Sequence, residues 1–249
     1  MSRRYWEWNR PFGWDPDSTA FLIIDMQLGF LADDSPLAVP MARTQVPVIR
    51  RVLEEFRKRH LPVFYTRFVV EPDHHVPFYR AISSQRGLDT TSEDAPFSVS
   101  GKHVAVVPEL QPQPGEPVVD KIAYDGFAET SLDGLLRSRG IETLVMAGTV
   151  VNWCVDSTLR SAFHRRFNSI VLADGVSGYD HAGATGDQWV AQELDHFAEA
   201  FAIVMDAGEL IEAIDDPALR QTGVRGRIPR SREISSPLTV PTSEVNDGA

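Results

Sequence analysis

The chain holds one cysteine in 249 residues, Cys154. One thiol makes no internal disulfide and builds no cysteine-based zinc site. Basic residues are in deficit: 24 Lys and Arg face 35 Asp and Glu, a formal net charge of −11. A chain this acidic offers no basic face for a phosphate backbone, so nucleic acid is not an expected partner. No apolar run approaches the roughly 18 residues of a membrane span. Met1 to Pro16 carries Arg3 and Arg4 but not the apolar core of a signal peptide. The expectation is a soluble, cytoplasmic protein with no membrane partner. Internal repeats are also lacking. What remains is an ordinary globular balance, 43% hydrophobic and 24% charged, which suffices for a sizeable core.

Five short apolar runs read as strands: Ala20–Ile24, Pro62–Thr66, Pro117–Val119, Thr143–Ala147 and Ser169–Leu172, with a weaker sixth at Phe201–Met205. Continuous rather than alternating apolar runs fit strands covered on both faces. Helical spacing appears over Val46–Arg59, Ser131–Arg139, Asn152–Phe163, Asp187–Ala200 and Gly208–Ile214. Strand–helix alternation predicts a three-layer α/β/α fold, a doubly wound parallel sheet of six strands with right-handed crossovers. The domain is expected over 19–219, after an N-terminal extension, 1–18. Residues 68–115 lack strong periodicity and separate strands two and three, the place of a lid or binding insert. Residues 220–249 are rich in Pro, Ser, Thr and charge; they read as a tail, disordered or packed on a neighbouring subunit.

Three polar residues follow apolar runs. Asp25 ends the first, Lys121 lies two residues beyond the third, and Cys154 lies at the start of the helix after the fourth. All three fall at the carboxyl edge of the predicted sheet, where open α/β folds bind ligands. A thiol in a first helical turn faces unpaired N–H groups and the positive end of the macrodipole, which lowers its pKa. Singly, each has an ordinary explanation: a buried structural Cys, an Asp turn residue, a solvated Lys. Together they form a constellation.

The segments Ile23-Ile24-Asp25-Met26-Gln27, Lys121 and Gly148-Thr149-Val150-Val151-Asn152-Trp153-Cys154-Val155-Asp156-Ser157-Thr158 resemble the isochorismatase-like cysteine hydrolase superfamily, over roughly Thr19 to Ala213. Pro112-Gln113-Pro114-Gly115, Tyr124-Asp125-Gly126-Phe127 and Ser131 to Ile141 look most like the ureidoacrylate, biuret and N-carbamoylsarcosine amidohydrolases within it. The resemblance implies a Rossmann-like fold, a triad of Asp25, Lys121 and Cys154, and a homo-oligomer, dimer or tetramer. It implies a thioester route on a small-molecule amide substrate, with no cofactor. Backbone N–H groups of Val150 and Cys154 would serve as the oxyanion hole, and the Thr149–Val150 peptide would be cis. Many relatives have Thr where Val151 stands, and Trp153 is bulky beside the nucleophile; both bear on substrate.

Gln27, Phe30, Arg67, Tyr124, Phe127 and Trp153 are the expected pocket residues, by their places beside the three polar groups. Arg67 is expected at the same edge, as a partner for a substrate carboxylate. Nicotinamidases of the superfamily hold a metal with Asp-x-His and a later His. Glu71-Pro72-Asp73-His74-His75 lies in a similar region without the Asp-Trp-His signature; the expectation is a polar loop and no metal. A metal-dependent amidase, a cyclic-amide hydrolase and a non-catalytic binding protein are the alternatives. Isochorismatases proper cleave a vinyl ether and lack the Cys.

Overall fold

The structure is a computed structural model, and it describes residues 11–70, 76–85, 87, 92 and 95–220. Six strands form one parallel sheet: β1 (Thr19–Ile24), β2 (Val63–Phe68), β3 (Val118–Lys121), β4 (Thr143–Thr149), β5 (Asn168–Ser177) and β6 (Ile203–Met205). Their order is β3-β2-β1-β4-β5-β6. The chain winds outward from β1 through β2 to β3, then returns to place β4 against the other side of β1. The topological switch point therefore lies between β1 and β4.

The apolar runs are continuous because each strand feeds two cores. Phe21 and Ile23 of β1 join one buried cluster with Tyr65, Val145 and Leu172. Ala20, Leu22 and Ile24 join another with Phe64, Leu144, Met146 and Val171. Successive side chains of a strand leave opposite faces, so both parities must be apolar when both faces are covered. The helices α1 (Leu28–Leu31), α2 (Pro40–Lys58), α3 (Pro77–Gln85), α4 (Leu132–Ser138), α5 (Asp156–His164), α6 (Gly186–Ala200), α7 (Ala207–Asp215) and α8 (Pro217–Arg220) complete the layers. The first cluster takes residues of α2 and α7, and the second takes residues of α4, α5 and α6. None of the helices is long and apolar enough to cross a membrane.

Several elements exceed their sequence signals. Helix α2 begins at Pro40 rather than Val46, with the proline in its first turn, where a missing N–H leaves no bond unmade. Pro47 lies inside it on the exposed side, so the carbonyl it cannot satisfy, that of Arg43, is also on an exposed residue. Strand β3, at the edge of the sheet, includes Asp120, which is exposed, and Lys121, which is buried toward the site. Strand β5 runs five residues past Leu172, through Asp174 and Gly175, and its pairing with β4 shifts register between Met146 and Gly148. The N-terminal residues described here pack onto the domain: Trp14 is buried in the first cluster, and its N–H donates to the Arg220 carbonyl. Residues 221–249, most of the expected tail, lie outside the described residues, as do Glu71 to His75.

Candidate active site

The site is assembled at the carboxyl end of the sheet on both sides of the switch point. Asp25 follows β1 and has φ of 53°. That left-handed conformation is uncommon for a residue with a side chain, although Asp and Asn tolerate it best. Its N–H still bonds the Thr66 carbonyl of β2, and its own carbonyl accepts from Gln27 N–H, so the turn is fixed at both ends. On the neighbouring strand, a side chain at Gly148 would overlap the Ile24 carbonyl oxygen, and its φ is 131°. Only glycine lets β4 pass this close to β1. The Thr149–Val150 peptide is cis.

Cys154 lies in a π turn, Val151–Val155, that leads into α5. The Val150 carbonyl accepts the N–H groups of Trp153 and Val155, each at 3.1 Å. In an α-helix that carbonyl would take the N–H of Cys154 instead. Such π turns recur at functional positions.

Lys121, the last residue of β3, binds the other two groups. Its Nζ is 2.7 Å from Asp25 Oδ2 and 3.3 Å from Cys154 Sγ, and it donates to the Ala123 carbonyl at 3.0 Å. The ammonium has three protons, and three acceptors surround it. Asp25 and Lys121 side chains are both 0% exposed. The three parent strands are not all neighbours: β2 separates β3 from β1. Two strand spacings are about 9.5 Å. A long side chain spans that gap, and a short one at position 121 does not. Thr66 of β2 fills the gap, its hydroxyl donating to Asp25 Oδ1 at 2.7 Å. Nothing in the sequence singled out Thr66, since a β-branched residue ending an apolar run reads as an ordinary strand former.

Burial governs the electrostatics. It pushes the Cys154 thiol up to about 12; the Lys121 charge pulls it back and the Asp25 carboxylate pushes it higher. Burial thus opposes the lowering expected at a helix start and favours the protonated thiol. Burial pulls Lys121 down, but the charge of Asp25, with the contacts to Asp25 and Cys154, outweighs it and leaves the ammonium above its ordinary value.

A cavity of about 570 Å³ opens beside this cluster and is lined by Cys154 and Val150. Of the expected pocket residues, Phe30, Tyr124 and Trp153 line it; Tyr124 and Trp153 meet edge to face at 5.0 Å. Three others are not brought to it. Arg67 is engaged bidentately by Asp120, its register partner on β3, at 2.7 and 2.8 Å. Phe127 is buried in the α4–α5 layer, stacked on Phe167. Gln27 is buried and is a clamp: its amide nitrogen donates to the carbonyls of Phe68 and Val104, and its amide oxygen accepts the Phe68 N–H. It ties the turn after β1 to the end of β2. The connection after β2 supplies wall residues the sequence did not reveal, Phe68 and, from α3, Phe78, Tyr79 and Ile82; Tyr179, after β5, adds another ring. Asp73, His74 and His75 lie outside the described residues. Among the described residues no three His, Cys, Asp or Glu side chains gather as a metal would require.

A switch-point site on a six-stranded parallel sheet puts the chain in the doubly wound α/β class, and comparison with known proteins narrows it. The isochorismatase domain model matches residues 19–209. A ureidoacrylate amidohydrolase, RutB, of Pseudomonas savastanoi pv. phaseolicola is 32% identical over 179 residues, 67% of this chain and 73% of the relative. Its counterpart in Stutzerimonas stutzeri is 30% identical over 214 residues, 77% and 86% of the two chains. Among solved structures, a cysteine hydrolase from Pseudomonas syringae pv. phaseolicola superposes with a TM-score of 0.72 at 27% identity, over 84% of this chain and 99% of that one. An N-carbamoylsarcosine amidase from Thermoplasma acidophilum gives 0.61 at 30% identity, over 76% and 96%. The chain belongs to the isochorismatase family and is a hydrolase.

Proposed function

We propose that the chain is a cysteine amidohydrolase that cleaves the C–N bond of a small amide, carbamoyl or ureido substrate through a thioester. The observation that carries this reading is the convergence of Asp25, Lys121 and Cys154 in one water-excluded cluster beside a cavity that Cys154 lines. The names of the relatives, ureidoacrylate amidohydrolase and N-carbamoylsarcosine amidase, support the same bond type.

Burial favours the neutral thiol, so attack and proton transfer are coupled. Cys154 Sγ bonds to the carbonyl carbon as its proton passes to the Asp25 carboxylate. The ammonium of Lys121 stays put, stabilising the thiolate as it forms and orienting the carboxylate. Negative charge moves to the carbonyl oxygen. The Cys154 N–H, which the π turn does not give to the Val150 carbonyl, and the Val150 N–H are the donors that would receive it, a role supported by both residues lining the cavity. Collapse breaks the C–N bond; Asp25 returns its proton to the leaving nitrogen, and ammonia or an amine departs. Water then attacks the thioester with Asp25 as base, the C–S bond breaks, and the proton returns to sulfur.

The test is ammonia release over a panel of small amides and ureides. Cys154→Ala is expected to abolish turnover while keeping the wild-type circular dichroism spectrum and melting cooperativity, since a small side chain replaces a small one. Wild-type turnover in that variant would refute the mechanism.

A further inference from the structure

The described cavity wall is apolar and aromatic. Among the described residues no Asp, Glu, Lys, Arg or His lines it. The wall is built of rings, with Phe30, Phe68, Tyr79, Tyr124, Trp153 and Tyr179 in its lining. Those rings are backed by others: Phe30 packs on buried Phe97 at 4.6 Å, and Phe68 lies 5.6 Å from the same ring. Basic side chains beside the cavity are already engaged: His181, stacked on Tyr179 at 4.3 Å, bonds Asn152 and the Tyr179 carbonyl, and Lys121 and Arg67 are held as well. Lys121 is fully buried and surrounded by Asp25, Cys154 and the Ala123 carbonyl. Arg67 is held bidentately by Asp120. A carboxylate entering this space would leave water without an ionic partner, which is strongly unfavourable. The acidic protein as a whole, at −11, adds no attraction for an anion. The volume, about 570 Å³, also exceeds what a bare ureide fills and lies in the range of pockets that hold drug-sized ligands.

We propose that the substrate is an uncharged amide or ureide carrying an apolar aryl or alkyl group, and that the enzyme discriminates against ureido acids. This rests on the cysteine amidohydrolase reading for the reaction, but it concerns only the cavity. The aromatic wall buries the apolar group, and the amide alone reaches the polar cluster. Substrate charge is then selected by the cost of desolvating a carboxylate, with no repulsive side chain needed.

Because Cys154 is the single cysteine and lines the cavity, alkylation reads the charge preference of the cavity without turnover. The probes are iodoacetate, iodoacetamide and N-phenyl iodoacetamide. Each rate at Cys154 of the folded protein, followed by intact mass, is divided by its rate with N-acetylcysteinamide at the same pH. The expected order places N-phenyl iodoacetamide first and iodoacetate last, with at least about a tenfold span. Iodoacetate as fast as the neutral reagents, or failure of all three to reach the thiol, overturns the proposal. A second arm compares ammonia release from ureidoacrylate and from its methyl ester. Preference for the carboxylate would defeat the substrate class yet leave the cysteine mechanism standing, provided Cys154→Ala abolishes that turnover. Turnover that survives Cys154→Ala would defeat the mechanism instead.

Discussion

Two ion pairs lie side by side at the carboxyl end of the sheet, both with a partner on β3, and they differ in their surroundings. Asp120 and Lys121 are consecutive, and so are Thr66 and Arg67, so their side chains leave opposite faces of the sheet. On one face Lys121 meets Asp25 at 2.7 Å with both side chains 0% exposed. On the other Arg67 meets Asp120 at the same distance, with side chains 26% and 36% exposed. Distance and charge are alike; solvent is not. The wetter pair gains little, because water screens it and would solvate each partner well. The dry pair holds two charges that have lost their water and meet each other, Thr66, the Ala123 carbonyl, the Cys154 thiol and the Phe68 ring. Such a pair is poor evidence of stabilisation, since desolvation offsets its attraction. In the proposed mechanism it orients a carboxylate beside a thiol whose protonated form burial favours.

Breaking the two pairs separately should expose the difference. Lys121→Met leaves Asp25 buried without its cation. The expected result is a stability loss of about 3–5 kcal/mol, measured by urea unfolding, together with turnover reduced to background in ammonia release. A Lys121→Met protein as active as wild type would show that the cation is not needed to form the thiolate.

Thr66→Val sharpens the comparison at the dry pair without removing charge. The shape is kept and one charge-assisted hydrogen bond to Asp25 is lost. That bond is worth roughly 1.5–3 kcal/mol, so kcat should fall about tenfold to a hundredfold, with little change in KM because Thr66 does not line the cavity. A change confined to KM would instead place Thr66 against the substrate.

Arg67→Ala is the smallest expected effect. The structure gives Arg67 to Asp120, so its loss should alter stability by less than about 1 kcal/mol and leave KM within about twofold for charged and uncharged substrates alike. A large rise in KM for a carboxylate substrate alone would return Arg67 to the substrate, as its position after an apolar run first suggested.

Arg67 also shows how far the sequence could be read. Runs such as Ala20–Ile24 and Thr143–Ala147 are visible as strands because burial on both faces makes every residue apolar, and Asp25, Lys121 and Cys154 stand out because each follows such a run. Which face a residue takes at the sheet edge is a matter of single-residue parity. Arg67 leaves the site on one side, while Thr66 before it and Phe68 after it enter the site, and no local signal distinguishes them. Gln27 and Phe127 were placed in the pocket by proximity in sequence, whereas Gln27 bonds the Phe68 and Val104 backbone and Phe127 packs on Phe167. The wall supplied by α3 and Tyr179 depends on chain separated by tens of residues from the nucleophile, which periodicity does not reveal. Strand order was the remaining gap: that β2 lies between Asp25 and Lys121 explains both the need for a lysine and the presence of Thr66.

In the proposed route Cys154 carries the acyl group and Asp25 moves the proton. The most direct measurement is mass spectrometry of the Cys154 peptide after a slow substrate is quenched rapidly in acid. Wild-type protein should show a mass increase equal to the acyl group of the substrate on that peptide, and Asp25→Asn should leave it unmodified because acylation cannot begin. Turnover with no adduct under any quench, and no acyl group intercepted by hydroxylamine, would contradict the account and favour direct attack by water.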